Sequence, residues 1–335
     1  MSGRAPASNR RRGRGGREGG EQPMVPRATF TSYYGRPVVK PAPWEADIPL
    51  YFFLGGLAGA SSMLAAGADL TGRGSLRRGT RAGAAVAITA SFAALIHDLG
   101  RPERFVNMLR VVKPTSPMSV GTWILTAYSP LAGLAATAEV GPLLARLPRP
   151  LAALVGALGR PAGLGAAALG AGVASYTAVL LTDTATPSWH EARRELPFVF
   201  VGSAAAAAGG LGMATAATAQ SGPARRLAAG GTLVELLMER RMEASMGVAA
   251  EPLHVGRAGQ LLRASRLLSA AGAAGGLLLG GRSRVAAVLS GSALLAGSLC
   301  TRFGVFEAGQ QSARDPRYTI VPQRERLERR ARGGS

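Results

Sequence analysis

Long uncharged apolar stretches alternate along this chain with short charged breaks. Residues 48–68 (IPLYFFLGGLAGASSMLAAGA) carry no charge, and about 20 apolar residues in a helix suffice to cross the hydrocarbon core of a bilayer. Comparable stretches follow at 80–99, 119–138, 161–182 and 196–219. A sixth, 223–246, is interrupted by Glu235, Glu239, Arg240, Arg241 and Glu243. It reads as a partly amphipathic span whose Glu235 faces protein, because a carboxylate in lipid is costly. Two shorter stretches, 264–281 and 284–303, complete a set of eight. Residues 143–159 are short and Pro-bounded, and read as an interfacial segment. The pattern predicts an all-α integral membrane bundle of about eight transmembrane helices over residues 44–305. A disordered basic tail precedes it at 1–43 and a basic tail follows at 306–335.

Composition sharpens this picture. Only 17% of the 335 residues are charged, against about 25% in ordinary soluble domains. The charges gather at the two ends and in the breaks. If eight spans are threaded, 28 of the 39 basic residues fall on the side that holds both termini and 11 on the other. The positive-inside rule then places both termini in the cytoplasm of a bacterial inner membrane. The net charge of +20 is carried mostly by arginines in tails and loops without interleaved aromatics, which argues against nucleic-acid binding. The NRRRG run near the start is not followed by an apolar segment, so it does not read as a twin-arginine export signal. A single cysteine, Cys300, excludes an internal disulfide and any multi-thiolate cluster. Three histidines are one short of two bis-histidine haems; a single haem between His97 and His254 stays formally open.

The candidate chemistry starts where the second stretch ends, in LIHDLGRPERF (95–105). Gly100 followed by Pro102 is a helix C-terminal signature, so His97 and Asp98 sit in the last helical turn. A carboxylate there meets the negative end of the helix dipole and needs a partner, for which Arg101 or Arg104 is at hand. The pair is either a structural ion pair pinning the loop or a proton-exchanging carboxylate at the membrane boundary. Ser116 or Ser119 caps the third helix with Pro117 just inside it, and Trp123 reads as an interfacial anchor. On the fourth helix Tyr176 needs a hydrogen-bond partner, and is either glue between helices or a donor to a bound quinone. The Gly55/Gly59 spacing fits close helix contact.

Several stretches in order resemble the NrfD/polysulfide-reductase membrane-subunit family: WEADIPLYFFLGGLAGAS (44–61), HDLGRPERFVNMLRVVKPTSPMSVGTWIL (97–125), YTAVLLTDTATPSW (176–189), LPFVFVGSA (196–204) and RFGVFEAGQQSARDPRYTIVPQR (302–324). The resemblance implies an eight-helix membrane subunit made of two four-helix bundles, with no haem and no metal of its own. It implies binding of menaquinone or ubiquinone and electron exchange with a ferredoxin-like, four-cluster iron–sulfur subunit. That subunit would connect to a molybdopterin-type catalytic subunit, where the terminal substrate reacts. On the family pattern Asp98 is the proton acceptor or exit with Arg101 beside it, and Tyr176 and His97 hold quinone oxygens. Ala178 departs from the glycine often found after the Tyr-Thr pair. The rival expectation is a transporter or proton-translocating bundle, with Glu235, Asp98 and Glu139 as a charge path and no quinone.

Overall fold

In the computed structural model, which describes residues 37–101 and 103–333, each apolar stretch falls largely in a helix of 20 residues or more. The α-helices are α1 Asp47–Leu70, α2 Gly74–Asp98, α3 Glu103–Met108, α4 Pro117–Thr137, α5 Gly141–Leu144, α6 Arg149–Thr182, α7 Pro187–Glu191, α8 Leu196–Thr215, α9 Gly222–Ser245, α10 Gly256–Leu278, α11 Arg284–Arg314 and α12 Arg317–Gly333. Among the described residues there is no strand. Five helices, α1, α2, α6, α8 and α11, are long and apolar enough to cross a membrane. The other three long helices are less apolar. In α9 and α10 charges intervene, and α4 is diluted by Ser, Thr, Tyr and Pro.

The long helices sort into the two four-helix bundles that the resemblance implies. In the first, α1 packs on α2 and α6, and α4 closes the set; in the second, α8 packs on α9 and α11, and α10 on α11. The bundles meet where α8 lies against α1 and α6. Close approach at the α1–α6 crossing depends on glycine. A Cβ on Gly59 would stand 2.4 Å from the Gly170 carbonyl oxygen. Gly55, its expected partner in the motif, has room to spare.

Successive long helices run in opposite directions, so the first and last described segments share one end of the molecule, the near end. There Gln310 Nε2 donates to the Ala42 carbonyl at 2.9 Å, and the rings of Trp44 and Trp189 stack with centroids 5.9 Å apart. Of the expected N-terminal tail, residues 1–36 lie outside the described residues, as does the Pro102 helix stop.

Three expected boundaries are corrected. The interfacial segment proposed for 143–159 is mostly the first three turns of α6, which starts at Arg149 with Pro150 in its first turn and runs through Pro161. Proline is tolerated in a first turn because no helical N–H is lost there. Helix α10 begins at Gly256, eight residues before the expected start, and α11 continues past the expected 303 to Arg314. The charges in these added turns find partners in the protein: Arg257 faces Glu307 at 3.7 Å, and Arg263 donates to the His254 carbonyl at 3.4 Å.

At the far end the first bundle is clamped by charge. Asp69 on α1 meets Arg77, Arg81 and Arg160, and Glu139 after α4 takes Arg77 at 2.7 Å and Arg81 at 2.7 Å. Each helix of the bundle, or the residue just beyond it, thus contributes a charge. Arg81 is 6% exposed. Its guanidinium fits because residue 163 is glycine, where a Cβ would lie 2.5 Å from an Arg81 terminal nitrogen. Removing one partner of a buried pair strands the other charge and costs about 3–5 kcal/mol. Arg81→Met is therefore expected to lower the thermal unfolding temperature in detergent markedly, as followed by circular dichroism. Removing both partners, as in Arg81→Met with Glu139→Gln, is expected to cost less than the sum of the two single changes.

Candidate functional site

Four elements of the first bundle converge at the near end on a cavity of about 210 Å³. Its walls are apolar (Ile48, Phe52, Leu95, Met118 and Leu180 among them), and its polar groups are Asp98, Arg104, Tyr51, Tyr176 and Thr122. Asp98 arrives there because α2 ends beside it. Gly100 takes the left-handed conformation (φ +67°), and its N–H bonds the His97 carbonyl at 3.0 Å, turning the chain away from the helix axis. The groups around the Asp98 carboxylate are the Glu45 backbone N–H, the Glu45 and Asp47 carboxylates and His97.

Tyr176 reaches the same cavity from the last turns of α6, and its hydroxyl is hydrogen-bonded to that of Tyr51 on α1. The ring packs against α4 at Gly121, where a Cβ would be 2.4 Å from Tyr176 Cε2. Two phenols share one hydrogen bond, so one O–H of the pair is left to donate to a ligand. Thr122 spends its proton on the Met118 carbonyl at 2.9 Å. Arg104 folds back from α3, and its Nη1 donates to the Leu99 carbonyl at 3.1 Å, satisfying an end carbonyl of α2.

The structure therefore brings Asp98 and Tyr176 together and leaves the other two expected site residues outside. Arg101 is exposed and does not line the cavity, so the expected Asp98–Arg101 pair is not formed. Arg104, one turn further on, does line the cavity, although it too is exposed. His97 points outward, its side chain 81% exposed, with Nδ1 2.7 Å from Asp47 Oδ2. It therefore does not reach into the cavity. His254 belongs to the other bundle and faces Glu243 at 3.7 Å, so the two rings formally open to a shared haem engage different carboxylates. Ser116 stands at the N-cap of α4 without a side-chain cap bond, whereas Ser119 accepts from the Lys113 N–H and donates to the Val111 carbonyl.

Sequence reasoning missed Tyr51 and Thr122. The signal for Tyr51 was present: Trp44, Ile48, Tyr51 and Phe52 recur at i, i+4, i+7 and i+8, one face of a helix, and all four line the cavity. A second, more open hollow of about 280 Å³ lies between α4 and α6, lined by Val120, Ile124, Gly172 and Val179, and it shares Tyr176 with the first. Tyr176 thus stands between an apolar surface groove and the Asp98 cavity.

The residues present suit a quinone. The Asp98 carboxylate could accept from a ring hydroxyl, a Tyr51–Tyr176 phenol could donate to the opposite oxygen, and the apolar walls would hold the ring. The cavity takes one ring system but falls short of the roughly 300–1,000 Å³ of drug-sized sites. A prenyl tail would therefore lie outside it, along the α4–α6 groove. Compared with known families, residues 38–271 match the one described as polysulphide reductase, NrfD. Among curated proteins none matches the chain.

Proposed function

This chain belongs to the polysulphide reductase NrfD family, whose members are membrane subunits of polysulphide and molybdoenzyme-type reductases, and from that premise we propose that it binds menaquinone or ubiquinone in the Asp98 cavity. It passes electrons between that quinone and an iron–sulfur partner of a molybdopterin oxidoreductase complex. The observation that carries this reading is the meeting of Asp98 and Tyr176, which lie 78 positions apart in the sequence, in one apolar-walled cavity beside an open groove between α4 and α6.

A bound quinol supplies two electrons and two protons on oxidation. Asp98 would take the two protons in turn, unloading the first toward water before the second leaves the ring. The free O–H of the Tyr51–Tyr176 pair holds the other oxygen, and the phenol pair fixes the ring's orientation. Asp47 and the exposed His97, next to Asp98 on the water side, relay the proton outward. Electrons leave to a partner docked on the same end, where Arg101, Arg110 and Lys113 present exposed positive charge. By the positive-inside rule that end faces the cytoplasm. The charge path of the rival reading has no such support: Asp98 and Glu139 lie at opposite ends of the first bundle, and Glu235 is in the second.

Affinity purification of the full chain from its native host tests the proposal. An iron–sulfur protein and lipid-extractable quinone are expected to co-purify. A preparation that holds neither would refute it.

A further inference from the structure

The second bundle buries a carboxylate for which the quinone site has no use. Glu235, about ten residues into α9 from the near end, is 2% exposed. Thr301 donates to its Oε1 at 2.6 Å, Ser265 meets Thr301 at 2.6 Å, and Ser203 lies within hydrogen-bond reach. Among the described residues its Oε2 has no hydrogen-bond partner. Arg302 on α11 is fully buried nearby but does not pair with it. Its Nη2 donates to the Phe200 carbonyl at 2.8 Å and its guanidinium lies 3.8 Å over the Phe200 ring, which leaves Nε and Nη1 unpartnered. The buried hydroxyls of Thr232 and Ser269 are unpartnered as well.

A purely structural ion pair would bring acid and guanidinium into contact, because two separated buried charges each bear a desolvation penalty of several kcal/mol. Here the acid has a hydroxyl donor on one oxygen and an open position on the other, with a cation set back from it. That arrangement suits a carboxyl that changes its protonation state.

The acid also has a route to water. Glu235, Glu239 and Glu243 recur every four residues, on one face of α9. Arg266 from α10 bonds Glu239 at 3.0 Å and also Glu243, and Glu243 faces the half-exposed His254 at 3.7 Å. Other charged groups on this side are Glu195, ahead of α8 and 3.9 Å from Arg241, the Arg257–Glu307 pair of α10 and α11 at 3.7 Å, and Arg263, which donates to the His254 carbonyl. Toward the far end the path stops, in a core of Ala206, Met213, Ala224, Ala228 and Leu294.

The geometry points to Glu235 as a proton-binding site within the second bundle, loaded and unloaded from near-end water through Glu239, Glu243 and His254. It is separate from the Asp98 cavity and does not rest on the quinone proposal. Only a proton moves, onto and off the carboxyl.

The test is labelling of the full chain in detergent with dicyclohexylcarbodiimide, which traps protonated carboxyls shielded from water. Peptide mass spectrometry is expected to find the adduct on Glu235, in a yield that falls as pH rises. The infrared C=O band of the protonated acid is expected to vanish in Glu235→Gln. Its hydrogen–deuterium exchange is expected to slow severalfold in the double variant Glu239→Gln, Glu243→Gln. No adduct on Glu235 at any pH would overturn the site, and unchanged exchange in the double variant would overturn the route. The labelling is read on the unsubstituted chain, so it stands even if a variant fails to fold.

Discussion

Asp98→Asn is expected to slow quinol-dependent reduction of the iron–sulfur partner by roughly 10²–10⁴-fold, the usual worth of a positioned general base. The amide keeps the shape of the carboxylate and can still accept from the Glu45 N–H, but it cannot take a proton. It also removes repulsion from the Glu45 and Asp47 carboxylates, so the folded chain should be no less stable. Stopped-flow oxidation of a quinol analogue by the assembled complex separates the two effects when paired with a melting curve. Arg101→Gln is the contrast. Arg101 is exposed and outside the cavity, so its loss should leave the quinol reaction unchanged once the partner is bound. A wild-type rate in Asp98→Asn would remove Asp98 from any proton role.

Gly121→Ala should be nearly as damaging, although alanine is the smallest side chain and the position bears no chemistry. Its Cβ would stand 2.4 Å and 2.5 Å from two ring carbons of Tyr176. Ordinary carbon contacts begin near 3.5 Å, so the ring must move by about 1 Å. That shift loosens the hydrogen bond to Tyr51 and alters the wall between groove and cavity. Misplacement of this size costs about 10²-fold in rate, and overpacking adds about 1–3 kcal/mol of lost stability. Gly133→Ala, on the same helix with nothing within 4 Å of the new Cβ, is the matched control and should match the parent in both rate and melting temperature. Equal behaviour of the two variants would mean that the Tyr176 position is not critical.

Much of the fold was legible in the sequence because five of the eight long helices hold a long, nearly uncharged apolar stretch, and hydrophobic burial in lipid and in protein selects the same residues. The boundaries were less so, for a physical reason. Arg160–Pro161 looks like a break between segments, yet α6 passes straight through, since Arg160 reaches Asp69 at 3.2 Å across the bundle. The charges at the start of α10 and the end of α11 looked like loop residues, but Arg257 faces Glu307 across the two helices and Arg263 bonds the His254 carbonyl. Such pairing is tertiary, and no window along the chain reveals it. The same holds for the far-end clamp, whose five charges come from two breaks in the apolar pattern, around 69–81 and 139–160.

At the candidate site, Asp98 was visible because Gly100 marks a helix end and a carboxylate is unfavourable there. Tyr176 was visible as a large polar side chain in a Gly/Ala-rich helix. Tyr51 was hidden among the aromatic residues of PLYFF, where it reads as one more apolar residue. The partner of Asp98 could not be read from spacing, because it is the backbone N–H of Glu45, more than fifty positions earlier in the chain, and not the arginine at hand.

The central claim is that a quinone ring sits between Asp98 and the Tyr51–Tyr176 pair. Photo-crosslinking of the full chain with an azido-substituted quinone tests it most directly. Adducts are expected on the segments that line the cavity, 95–108, 118–122 and 176–180, suppressed by excess native quinone and diminished in Gly121→Ala. Adducts confined to α8–α11, or labelling that excess quinone does not suppress, would contradict the account.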